Sequence, residues 1–132
     1  MKKYFFPLLI CIVFSSATSF AQLADTKWQG TFYIPSENEC YLHFKKDTLN
    51  LVFAESGDII EAMKYTVSGD TLTLSKLYGG SPCEETAALY KFKVNADKLK
   101  LSIVSDNCSA RASAGLDGDL TKVIEATIKK ED

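Results

Sequence analysis

Short and long connections alternate along this chain, and that alternation limits its folds more than any single motif. After residue 21 the apolar positions recur with period two in stretches rich in β-branched and aromatic residues, the pattern of half-buried strands. Strands are expected at 27–34, 40–46, 48–54, 60–67, 71–77, 86–94, 98–104 and 120–129. Lys46-Asp47, Ser68-Gly69-Asp70 and Asn95-Ala96-Asp97 read as tight hairpin turns, whereas the links near 35–39, 55–59, 78–85 and 105–119 are longer. In an up-and-down antiparallel sheet every second connection lies at the same end. The expected fold is therefore all-β: an eight-stranded antiparallel up-and-down barrel with a tight floor and a mouth built from the long links. Two segments also carry a helical pattern. Asp58 and Glu61 can cap a helix over Ile59 to Tyr65, and Leu120, Val123, Ile124 and Ile128 fall on one helical stripe.

Residues 1–21 read as a secretory signal, leaving 22–132 as one barrel domain. Lys2 and Lys3 precede the apolar run Tyr4 to Phe14, and Ser19 and Ala21 fit a small-x-small cleavage site. Cys11 is discarded with the signal, because Leu9 and Ile10 before it do not suit lipid attachment. The expected location is secreted or periplasmic. No apolar run approaches the roughly 20 residues of a membrane-spanning helix. The remaining 111 residues carry 13 basic and 17 acidic side chains, a net charge of −4 that offers nucleic acid no basic footprint.

Three cysteines remain, Cys40, Cys83 and Cys108. Cys83 lies 13 residues before Ala96 and Cys108 lies 12 after it, so folding back at that turn sets them opposite each other at the mouth. A Cys83–Cys108 disulfide is expected, with Cys40 spare. Zinc held by Cys40, His43, Cys83 and Cys108 competes with that bond in an oxidising compartment, and Asp117-Gly118-Asp119 lacks the rest of a calcium loop. No metal or cofactor is implied.

An inward stripe of Trp28, Phe32, Phe44, Leu51, Phe53, Tyr90, Phe92 and Leu101 either lines a ligand pocket or fills the barrel. The long links carry nine acids (Glu37, Glu39, Glu55, Asp58, Glu84, Glu85, Asp106, Asp117 and Asp119) against Arg111 alone. Such a rim repels anions over about 10 Å and favours neutral or cationic ligands or a basic protein partner; its plainer role is solubility. Arg111, the sole arginine, either anchors an anionic group at the mouth or pairs with Asp106 to brace its loop. Enzymatic chemistry finds little support. The sole histidine, His43, alternates outward from Leu42 and Phe44, and no G-x-S-x-G elbow exists.

Trp28-Gln29-Gly30-Thr31-Phe32 on the first strand, followed by an eight-strand meander, resembles the lipocalin-like group. The stretch Val104-Ser105-Asp106-Asn107-Cys108-Ser109-Ala110-Arg111 is similar to one in small exported bacterial lipocalin-like proteins. The resemblance implies an extracytoplasmic, non-enzymatic barrel that binds a small, largely apolar molecule. The alternative is a filled barrel that displays acidic loops to a protein partner or inhibits one.

Overall fold

A computed structural model describes residues 22–124 as a closed antiparallel barrel whose eight strands follow one another in chain order. The strands are β1 Thr26–Tyr33, β2 Glu37–Phe44, β3 Thr48–Phe53, β4 Ile59–Ser68, β5 Thr71–Gly79, β6 Ala88–Asn95, β7 Lys98–Ser105 and β8 Asp119–Lys122. One helical turn, α1 Ser109–Ser113, lies in the last connection. No helix among the described residues is long and apolar enough to cross a membrane. The expected signal at 1–21 and the end of the expected last strand at 125–129 lie outside the described residues.

Neither competing helical segment is helical where it is described. Ile59 to Tyr65 belongs to β4, since its alternate residues Glu61, Met63 and Tyr65 are buried against the interior. Leu120 is β8's buried position, and that strand ends at Lys122. The first connection is also shorter than the links pattern suggests, spanning only 34–36. Its turn is held by Ile34 N–H donating to Ser36 O at 2.8 Å, while Asn38 Nδ2 donates to Ile34 O at 3.0 Å and Ser36 O at 2.9 Å. The strict alternation of lengths therefore starts one link later than expected.

The floor is sealed by large side chains. Trp28, Phe44, Tyr65, Leu72 and Leu99 are essentially inaccessible. The rings of Phe44 and Tyr65 meet edge to face at 5.2 Å. Tyr65 Oη donates to the backbone oxygen of Lys45 and, at 3.3 Å, to that of Lys46, which ties the strand interior to the β2–β3 turn. An eight-stranded barrel has an interior just wide enough for its own side chains, and these rings use it up.

Closure rests on a short seam. β8 pairs with β1 only at Trp28 and Gln29 and with β7 only from Lys98 to Lys100. Above that seam β1 and β7 diverge, and the 106–118 connection occupies the wedge: Leu101 N–H donates to Gly118 O at 3.3 Å and Tyr33 N–H to Ala114 O at 2.9 Å. Gly30 lets Leu120 reach the seam, since a Cβ there would stand 2.3 Å from Leu120 Cδ2. Gly30→Ala should cost about 1–3 kcal/mol in denaturant unfolding, and this cost should largely vanish when tested in a Leu120→Ala background.

Candidate functional site

At the mouth the barrel holds a cavity of about 560 Å³, inside the range of small-molecule sites. One wall comes from the end of β1 with Tyr33 and the β1–β2 turn with Ile34 and Pro35. β3 and β4 supply Leu51, Ile60, Glu61 and Met63. The β5–β6 connection adds Gly80, Ser81 and Pro82, and the last connection contributes Ala110, Arg111, Ser113, Ala114 and Leu116. Most of this lining is apolar, and the charged side chains in it are Glu61 and Arg111.

Strand alternation turns Glu61 inward, on the face of β4 that carries Met63 and Tyr65. Register shifts fall between Leu51 and Val52 on the ladder to β3 and between Ala62 and Met63 on the ladder to β5. Glu61 is 5% exposed. It accepts from Ser81 Oγ at 2.6 Å and Ser81 N–H at 3.2 Å, and Lys76 Nζ lies 3.9 Å from Oε1. Gly79 is required beside it. At φ +147° a Cβ there would meet Glu61 Oε2 at 2.3 Å and Glu61 Cα at 2.7 Å.

Arg111 is held from the opposite side. Its Nε donates to Asp106 Oδ2 at 2.7 Å and its Nη2 to Asp106 Oδ1 at 2.8 Å, a bidentate pair almost wholly removed from water. Tyr90 Oη donates to Asp106 Oδ2 at 2.6 Å and Cys108 N–H to Oδ1 at 2.9 Å. Burial pushes the Asp106 carboxyl up, but the hydrogen bonds from Arg111, Tyr90 and Cys108 outweigh it and the net shift is downward. Asp106 in turn raises Arg111. Burial and the same carboxylate push the Tyr90 phenol far above its ordinary value.

The Cys83–Cys108 disulfide is formed, with its Cα atoms 5.4 Å apart, and it staples the β5–β6 connection to the segment that carries α1. Cys40 is the free cysteine among the described residues; burial, then the neighbouring Glu39 charge, push its thiol up. No group of histidine, cysteine and acidic side chains among the described residues is arranged to hold a metal.

Of the stripe read from the sequence, Leu51 lines the cavity. Trp28, Phe32, Phe44, Tyr90, Phe92 and Leu101 are buried in the packed interior, and Phe53 is half-buried against it. Glu84 and Glu85 are exposed and contribute nothing to the lining. The acidic rim is thinner than the sequence count. Glu37 and Glu39 belong to β2, where Glu39 accepts from Thr31 Oγ1 at 2.6 Å and Gln29 Nε2 at 3.0 Å, and Asp119 lies on β8 opposite Lys100. A strand lysine, Lys76, adds a second cation beside Arg111 at this end. Sequence reasoning missed Glu61, although its place in the inward register with Met63 and Tyr65 was a usable signal. No protein-family model matches the chain, nor is any curated protein or solved structure found similar to it.

Two stability outcomes follow from this geometry. The folded pKa of Asp106 lies below its unfolded value of about 3.9, so the pair's contribution is complete above that pH and is lost as pH falls through the lowered folded value. Asp106→Asn should therefore lose about 3 kcal/mol or more at pH 7, with the gap to wild type narrowing below about pH 4 in denaturant titrations. Replacing both Cys83 and Cys108 by serine opens a loop of 25 residues and should cost about 3.5 kcal/mol, read as a lowered unfolding midpoint without loss of the β signal in circular dichroism.

Proposed function

We propose that this protein is a non-enzymatic, extracytoplasmic binding module of lipocalin-like kind that holds one small, largely apolar, neutral or cationic molecule in the mouth cavity. The observation that carries the reading is the cavity: about 560 Å³, lined mainly by apolar side chains, above an interior already packed with its own rings. Apolar burial, at about 25 cal/mol per Å², supplies the affinity, and a few fixed polar groups supply orientation. Exposed carboxylates at Glu55, Asp58, Glu84, Glu85 and Asp117 stand in the surrounding connections and disfavour anionic entrants. The disulfide supports an oxidising compartment, in keeping with the signal-like residues 1–21.

A second reading, a domain that displays its mouth to a protein partner, draws on exposed Tyr33, Ile59, Leu77 and Tyr78, which are 46–59% accessible. Titration with a neutral fluorescent probe such as N-phenyl-1-naphthylamine separates the two. The binding reading expects saturable enhancement at one probe per chain, weakened at least tenfold by Ala110→Trp, which fills the cavity from α1. A probe that ignores both proteins favours the display reading.

A further inference from the structure

The outer wall of the barrel is divided by charge. Four consecutive strands, β4 to β7, carry exposed lysines at Lys64, Lys91, Lys93, Lys98 and Lys100, and the one acidic side chain in those strands, Glu61, faces the interior. The whole chain has more acids than bases, 17 against 15, so this is segregation rather than composition. The lysines are densest on the β6–β7 hairpin. Lys93 stands directly opposite Lys100, with Lys91 beside Ser102 on one side of that pair and Lys98 beside Asn95 on the other. Like charges set across an antiparallel pair repel, so the arrangement costs stability. Among the described residues none of the five forms an ion pair, and Lys98 Nζ donates instead to Thr121 Oγ1 at 3.0 Å. The acids around this face lie off it: Asp119 on β8 opposite Lys100, Asp70 and Asp97 in the flanking turns, and Glu84 and Glu85 in the β5–β6 connection.

Exposed aliphatic side chains continue the same face toward the mouth. Leu89 precedes Lys91 and Lys93 in the outward register of β6, and at the register shift beside it Val104 is 54% exposed. We propose that this β6–β7 wall docks on the surface of an anionic lipid bilayer, with the lysines at the phosphate headgroups and Leu89 and Val104 in the interfacial layer. Interfacial binding combines attraction of basic side chains to anionic lipid with burial of apolar area, and this strip supplies both. A soluble polyanion would answer the charge but leave the aliphatic side chains in water. The wall is the convex outside of a barrel, and a broad, deformable lipid surface meets it without a pocket. Screening over about 10 Å keeps the molecule's more distant acids from cancelling a local basic patch. The inference concerns the wall rather than the mouth, and it is independent of cavity binding.

The test is co-sedimentation of the protein, exported by a bacterial host and with its disulfide intact, with vesicles of phosphatidylcholine alone or mixed with phosphatidylglycerol. Partition onto the anionic vesicles is expected to exceed that onto neutral ones by about tenfold or more, and to fall as salt is raised. A Lys93→Gln, Lys100→Gln double variant should lose about thirtyfold, from about fivefold per lysine near such a surface, with the β signal in circular dichroism unchanged. Wild type and variant share one N-terminus, so the difference between them reports the wall. A second measurement keeps every lysine: Val104→Trp adds an indole whose emission, taken as a difference from wild type, should shift to shorter wavelength on anionic vesicles. Equal partition onto neutral and anionic vesicles, full binding by the double variant, an unshifted indole, or capture by dextran sulfate without vesicle binding would overturn the proposal.

Discussion

The Asp106 carboxylate accepts four hydrogen bonds, from Tyr90 Oη, Cys108 N–H, and Arg111 Nε and Nη2. These donors come from different parts of the fold. Tyr90 stands on β6 with its ring in the core, Cys108 is stapled to the β5–β6 connection, and Arg111 is in α1. The segment that replaces missing wall between β7 and β1 is therefore fastened to the packed interior through this anion, beside the disulfide, the backbone bonds to Tyr33 and Leu101 and the buried Leu116. A buried carboxylate is costly unless its lone pairs are met, and here they are met mainly by groups that also define the mouth. The position of α1 and the shape of the cavity depend on that fastening.

Below this point the structure is a filled barrel, and above it the wall is incomplete. β8 is four residues long, too short to follow β7 or β1 upward, and β5 pairs with β6 only from Thr71 to Leu74. The floor is full because its inward positions are Trp28, Phe44 and Tyr65; the mouth is open because its inward positions include Glu61 and Gly79. Plain alternation with Met63 and Tyr65 brings the charged side chain of Glu61 to an inward position that is usually apolar. Space, a fixed guanidinium and a fixed carboxylate thus meet at the end where the connections are long.

Much of this was legible beforehand. Period-two patterning located the strands, and turn chemistry located the floor at Lys46-Asp47, Gly69-Asp70 and Ala96-Asp97. The disulfide followed from nearly equal distances to the 96 turn, because a hairpin sets such positions almost opposite one another. The aromatic stripe marked the interior but not which part of it stays empty. Glu61 and Lys76 were passed over because a charge inside a strand normally faces water, and only the contact with Ser81, distant in sequence, shows what holds Glu61 inside. The first connection was read too long because Glu37 to Glu39, polar by composition, continue the ladder with Tyr33 to Thr31.

Local chemistry along the chain determined the strand order, the two unlike ends and the cross-link, since alternation, turn residues and cysteine spacing act between near neighbours or across one hairpin. It also identified Arg111 and Asp106 as a natural pair. Tertiary structure alone decided that the cavity lies at the mouth rather than down the barrel axis, because that depends on how the volumes of side chains from all eight strands sum at each level. It decided too that one nitrogen of Arg111 stays unpaired, because satisfying a buried donor requires an acceptor at the right distance and angle, and no linear pattern encodes that absence.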